Sequence, residues 1–178
     1  MGVFHGAGVA GSSVGTATDW HPQQPRLIYQ FNAAPEIVHG FYEANSQSFK
    51  AGALVYLNSG AVTAFPTGDV PLAGIAMKAA TNVTTGNIEI PIMKAIPGSE
   101  WWINVTDGSG VFEAANTTAS LQTAYDVEVT NGICTLASDD TTNPVFRIQQ
   151  WVYDETGTIT TLAKVILLDA ECMWLSGA

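Results

Sequence analysis

The first residues whose spacing could do chemistry are three glycines near the start of the chain. The stretch GAGVAG places Gly6, Gly8 and Gly11 in the pattern G-x-G-x-x-G, which holds a dinucleotide pyrophosphate when a strand leads into it and a helix leaves it. The following stretch SSVGTATDWHPQQP contains Pro22 and Pro25, which prevent an amphipathic helix. We therefore interpret GAGVAG as part of a glycine-rich arm rather than as a nucleotide site.

Side chains that act as nucleophiles, bases or metal ligands show no functional spacing. His5, His21 and His39 are not paired with one another at i, i+4 or with a cysteine, as a metal site would require. The serines lack the G-x-S-x-G pattern of a nucleophile elbow. We predict a non-enzymatic protein with no catalytic residue, no metal and no cofactor. A small hydrolase remains an alternative, because acids such as Glu100 and Glu113 can still pair in three dimensions.

The tryptophans point to binding rather than to catalysis. Trp101 and Trp102 are adjacent, so on a strand one side chain faces the core and the other faces outward. An outward tryptophan can stack on a sugar or anchor a protein interface, unless a neighbouring strand or the arm covers it. We take both residues as interface candidates.

Composition limits the classes of partner. The chain has 178 residues, 47% of them hydrophobic, and sixteen acids against six bases, for a net charge of −10. Nucleic-acid binding needs clustered Lys and Arg, and no stretch approaches the roughly 20 apolar residues of a membrane span. We therefore expect neither nucleic acid nor membrane as a partner. Cys134 and Cys172 are isolated and are predicted to be small buried side chains, with a disulfide between them left open.

Turn chemistry and alternating side chains predict an all-β fold, a small barrel or sandwich of short antiparallel strands. AGALVYLNSGAVTAFP indicates a hairpin with the three-residue loop 58–60, and AYDVEVTNGICTLA indicates a type I′ hairpin turning at Asn131-Gly132. In IEIPIMKAI, Pro91 marks an edge position or a bulge. The one helix we predict is a short one in TTASLQTAY.

One strand, VFRIQQWVY, is apolar on both faces. Strict alternation places Trp151 and Tyr153 on one face with Arg147, and Phe146 and Ile148 on the other. This pattern predicts a strand that is packed on both sides or that faces a subunit partner.

The chain divides into an extended N-terminal arm, residues 1–45, and a β-barrel or β-sandwich domain, residues 46–178. The arm carries prolines and aromatic residues, and disordered tails are poor in aromatic residues. We therefore expect the arm to be ordered against its own domain or against a neighbour. Its aromatic anchor candidates are Trp20, Tyr29, Phe31 and Tyr42.

The segment FKAGALVYLNSGAVTAFPTGDVPLAGIAMKAA resembles the core segment of head decoration (capsid cement) proteins of tailed bacteriophages. In that family an A/P-G-A/D-x-V start precedes a hairpin and an xGIA or xGVA segment. The matching pieces are AGALV at 51–55, the loop 58–60 and AGIA at 73–76. From Trp101 onward the chain carries no motif of the family.

The resemblance implies a structural protein of a phage virion. It would be assembled in the host cytoplasm, bind the outer capsid surface and stabilise the shell by bridging major capsid protein subunits through its arm and β domain. It also implies a homo-oligomer, with a trimer favoured. The alternative is a carbohydrate-binding or adhesin module, such as a head fibre or receptor-binding domain, that uses an exposed Trp101 or Trp102.

Overall fold

The computed structural model of the chain describes residues 24–30, 34–66, 70–82, 84, 88–107, 121–130, 132–157, 159–169 and 172–175. These residues form thirteen strands and a short 3₁₀ helix, with no α-helix among them. The strands are β1 (Arg26–Tyr29), β2 (Ile37–Val38), β3 (Tyr42–Glu43), β4 (Leu54–Asn58), β5 (Ala61–Ala64), β6 (Gly74–Ala76), β7 (Ile92–Lys94), β8 (Glu100–Thr106), β9 (Ala124–Tyr125), β10 (Val127–Thr130), β11 (Ile133–Ala137), β12 (Phe146–Tyr153) and β13 (Ile159–Leu167), and the 3₁₀ helix is Met173–Leu175.

Six strands form a nearly closed, barrel-like sheet, which we call the barrel sheet. Its order is β2-β7-β6-β4-β5-β3, antiparallel except for the parallel pair β3–β5. Tyr42 of β3, at one end of the path, bridges to Glu89, just before β7, which pairs with β2 at the other end. Such closure leaves few unpaired edges.

The barrel sheet contains the irregularity predicted at Pro91. Val38 pairs with Ile92 and Tyr42 bridges to Glu89, so three residues on one side face two on the other. The extra residue lies opposite Pro91, in the segment that contains Gly40 with φ of 84°. A bulge of this kind bends the strand pair and helps the sheet to close.

The β4–β5 hairpin is present, but its predicted loop length is wrong. Asn58 pairs with Ala61, so the loop has two residues rather than three. Those residues, Ser59 and Gly60, have φ of 51° and 85°, the two positive values of a type I′ turn. Asn58 belongs to the strand because the I′ turn matches the twist of the flanking strands.

Seven strands form the second, larger sheet, with β8 near its centre. The main path is β10-β11-β8-β13-β12-β9, and β1 also pairs with β8. Strand β8 pairs with β13 along one edge. Along its other edge it pairs with two strands: β1 lies beside Trp101 and Trp102, and β11 lies beside Val105 and Thr106. The predicted β10–β11 hairpin is confirmed by the pair Thr130–Ile133, with Asn131 outside the described residues. The predicted helix in TTASLQTAY is wrong at its end, where Ala124 and Tyr125 form β9.

Strand β12 departs from strict alternation, which corrects the predicted faces. Its register against β13 shifts between Ile148 and Gln150, so Trp151 turns to the face that buries Phe146 and Ile148. Burial of an indole outweighs regular pairing at this point, and one extra residue in the strand is enough to turn the next side chains to the opposite faces.

The two sheets share one hydrophobic core, so the all-β prediction is confirmed. The cluster joins barrel residues such as Leu54 and Ile92 to residues of the larger sheet such as Ile103 and Ile148. Cys134 and Cys172 are both free and buried in it, not bridged. Burial raises the pKa of the Cys134 thiol to about 12, against the opposing effect of a hydrogen bond with the Leu54 backbone.

The described part of the arm is built into both sheets of its own chain. Strand β1 extends the larger sheet, while β2 and β3 belong to the barrel sheet. The Gln24 side chain donates to the Gly132 carbonyl and accepts from the Cys134 N–H, and the Gln30 amide donates to the Lys94 carbonyl at 2.6 Å. The proposed division at residue 45 stays a prediction.

Candidate interaction surfaces

The adjacent tryptophans of β8 separate as predicted, one inward and one outward. Trp101 is 0% exposed, donates its indole N–H to Ser99 Oγ at 2.6 Å and meets Phe146 edge-to-face at 5.9 Å. Trp102 is 41% exposed on the opposite face. Of the two candidates, Trp102 is therefore accessible to a partner, and Trp101 is a core residue.

Trp102 lies on a four-stranded surface that we call the outer face. It consists of the outward side chains of β1, β8, β13 and β12, ordered in the sheet by the pairs β1–β8, β8–β13 and β13–β12. These side chains are Arg26, Glu100, Trp102, Asn104, Leu162, Lys164, Ile166, Arg147 and Gln150. All of them are exposed or half-buried.

Two cations flank Trp102 in register. Arg26 of β1 and Lys164 of β13 are its direct cross-strand neighbours, and directly opposed side chains have Cβ atoms about 5 Å apart. Lys164 Nζ also lies 2.8 Å from Glu100 Oε2, and both side chains are 30% exposed. This partly solvated pair contributes little to stability.

A second exposed aromatic lies on the barrel sheet, far along the chain from Trp102. Tyr42 is 50% exposed in β3, and Ile37 of β2 is also exposed. Between them, Glu89 accepts a hydrogen bond from the Gly40 N–H at 2.8 Å and lies 3.4 Å from His39 Nδ1. The Gly40 hydrogen bond, followed by the proximity of His39, lowers the pKa of Glu89.

Of the three other aromatic anchor candidates in the arm, only Tyr29 is among the described residues. Tyr29 lies in β1 opposite Glu100, across a register shift. Trp20 and Phe31 lie outside the described residues. The structure thus places Tyr29 and Trp102 on the neighbouring strands β1 and β8, while Tyr42 lies on the other sheet.

Buried polar groups of the described residues have structural partners. Glu43, 1% exposed, accepts hydrogen bonds from the N–H and hydroxyl of Thr81 at 2.8 and 2.6 Å. Thr106 Oγ1 lies 3.0 Å from both Glu128 Oε2 and Thr135 Oγ1.

Within the described ranges, no three His, Cys, Asp or Glu side chains are grouped to hold a metal ion. No helix of those ranges is long and apolar enough to span a membrane.

Compared with protein-family models, with curated proteins and with solved structures, the chain has no significant match.

The grouping of cations around Trp102 has no signal in the sequence alone. Arg26, Trp102 and Lys164 are widely separated in the chain, and only the strand order β1-β8-β13 makes them neighbours. Alternation in AKVIL does predict that Lys164 points away from the core. No local signal predicts which strands lie beside it.

Proposed function

We propose that this chain is a non-enzymatic structural protein of a phage virion. It binds the outer capsid surface and stabilises the shell by bridging major capsid protein subunits. Its working form is a homo-oligomer, with a trimer favoured, assembled in the host cytoplasm.

One observation carries the proposal: the segments that resemble decoration proteins form one structural unit. AGALV leads into β4, the loop lies between β4 and β5, and AGIA supplies β6, which pairs with β4. Within AGIA, Gly74 has φ of 153° and a Cβ there would lie 2.0 Å from the Met93 carbonyl oxygen. The motif therefore has a physical reason in this fold, which supports a shared architecture.

An exposed aromatic side chain supplies a means of binding. Trp102 projects from strand β8 rather than from a loop, so little side-chain ordering opposes association. Aromatic side chains of this kind are frequent binding hot spots. A cementing role needs such anchors on a stiff framework and needs no reactive group.

The test is the copy number of the chain relative to the most abundant protein in purified particles from its source. We expect many copies in a fixed ratio to the shell protein. A few copies per particle would indicate a fibre or adhesin at a special vertex. Absence from the particles would contradict the proposal.

The second candidate function, carbohydrate binding, is favoured by one observation. Trp102 is exposed on strand β8, with the polar residues Lys164 and Arg26 on the neighbouring strands and Asn104 two residues along β8, a combination that suits stacking on a sugar ring. Titration of the chain with host polysaccharide should then quench tryptophan fluorescence, and Trp102→Ala should abolish the response. An unchanged spectrum across a broad panel of glycans would count against this candidate.

A further inference from the structure

We propose that the outer face, centred on Trp102, docks against an acidic, partly apolar protein surface. This inference rests on the proposed function and names the side of the molecule that meets the shell. The alternative side is the barrel surface around Tyr42.

Charge distribution is the first argument. The whole chain has six bases and sixteen acids, yet among the described residues the outer face carries three of those bases, Arg26, Lys164 and Arg147, and a single acid, Glu100. The acid is paired with Lys164, and Arg26 also has an interaction partner within the chain. A strongly acidic protein thus presents one locally cationic face, and carboxylates on a partner are steered toward it in preference to the rest of the surface.

The arrangement of those charges is the second argument. Arg26 and Lys164 lie in register on either side of Trp102, so an indole at the centre is bordered by donors on neighbouring strands. Interfaces commonly place an aromatic anchor inside a polar rim that excludes water from it. Carboxylates of the partner would approach this face because of its excess of bases, while an apolar side chain covers the indole.

The apolar side chains decide the class of partner. Leu162 and Ile166 are half-buried on the outer face, opposite Asn104 and Glu100. An anionic polysaccharide or a nucleic acid would leave these aliphatic groups without complementary contact, whereas a protein surface covers them. The chemistry therefore fits a protein with acidic and aliphatic residues together.

The experiment measures binding of the purified full chain to particles assembled without it. We expect Trp102→Ala to weaken binding about 30-fold, which corresponds to about 2 kcal/mol. Arg147→Glu, an exposed position, should weaken binding and reduce its salt dependence. The matched controls are Tyr42→Ala, an exposed aromatic on the barrel, and Lys50→Glu, an exposed base outside the outer face; both should bind like the unaltered chain.

The outcomes separate the two proposals. If the unaltered chain does not bind, the proposed function fails, and the docking assignment fails with it. If it binds and the two outer-face variants bind equally well, only the docking assignment is overturned. Loss of binding in the Tyr42→Ala variant alone would place the contact on the barrel surface around Tyr42 and would overturn the assignment to the outer face. A change in the sedimentation of the isolated chain on Arg147→Glu would mean that a second copy occupies the outer face, which also overturns the assignment.

Discussion

At the scale of single residues, close backbone contact explains why Gly74 is glycine. Its strand, β6, lies between β4 and β7, and the space where a Cβ would stand is filled by the Met93 carbonyl oxygen. The obstacle is backbone, which cannot rotate aside as a flexible side chain can. The residue is thus required by packing between strands, in addition to its unusual φ.

Gly74→Ala should lower the free energy of unfolding by about 3 kcal/mol, because β6 and β7 must separate to admit the methyl group. Gly60→Ala is the matched control: φ is 85° there, but nothing lies within 4 Å of the added Cβ, so the cost is backbone strain of about 1 kcal/mol. Urea unfolding of the two variants measures the difference. Equal losses of unfolding free energy in the two variants would mean that the positive φ, rather than the contact with Met93, requires glycine at position 74.

A second residue-scale prediction concerns Cys134. Burial raises the pKa of its thiol from 9.0 to about 12, so above pH 9 the unfolded chain loses this proton while the folded chain keeps it. The contribution of this thiol to the free energy of unfolding is therefore fully present below pH 9 and is lost as the pH rises from 9 to 12. The fall should be smaller in Cys134→Ala, measured by urea unfolding across this pH range. An identical fall in both chains would contradict the assignment.

At the scale of elements, the arm strands complete the sheets. β1 covers part of the β8 edge, β2 pairs with β7 and β3 pairs with β5. The buried Glu43 and its Thr81 partner depend on β3. These strands are short, but each fills an edge that would otherwise expose unpaired backbone groups.

A shortened chain that begins at residue 46 lacks β1, β2 and β3, which leaves edges of both sheets unpaired. We therefore expect this shortened chain to lose cooperative unfolding. A chain that begins at residue 24 keeps every described strand and is the matched comparison. Near-ultraviolet circular dichroism during urea titration distinguishes them. A sharp native transition in the shorter chain would show that residues 46–178 fold alone, as the sequence division at residue 45 predicts.

At the scale of the whole molecule, segments near both ends of the chain meet on the barrel. Trp174 packs edge-to-face on Phe41 at 6.1 Å, lies under Lys94 Nζ at 4.9 Å and donates its indole N–H to the Ala73 carbonyl. Cys172 donates to the Ala95 carbonyl. Residues that are far apart in the sequence thus pack together on the same side of the barrel sheet.

Trp174→Ala should lower the free energy of unfolding by about 2 kcal/mol, through loss of ring contact, the cation–π contact and one hydrogen bond. Trp174→Phe keeps the aromatic contacts and should cost about 1 kcal/mol. Thermal or urea unfolding measures both. If the two variants are equally destabilised, the hydrogen bond accounts for the whole effect and the ring contacts contribute nothing.

The sequence by itself determined the all-β class, the hairpin at Asn131-Gly132 and the opposite orientations of the two tryptophans in β8. Each follows from period-two alternation or from turn chemistry, which act over a few neighbouring residues. The bulge that turns Trp151 inward, the cations beside Trp102 and the incorporation of the arm strands were decided by tertiary structure. They depend on which distant strands pair and in what register, and that choice is made by burying one shared core rather than by any local pattern.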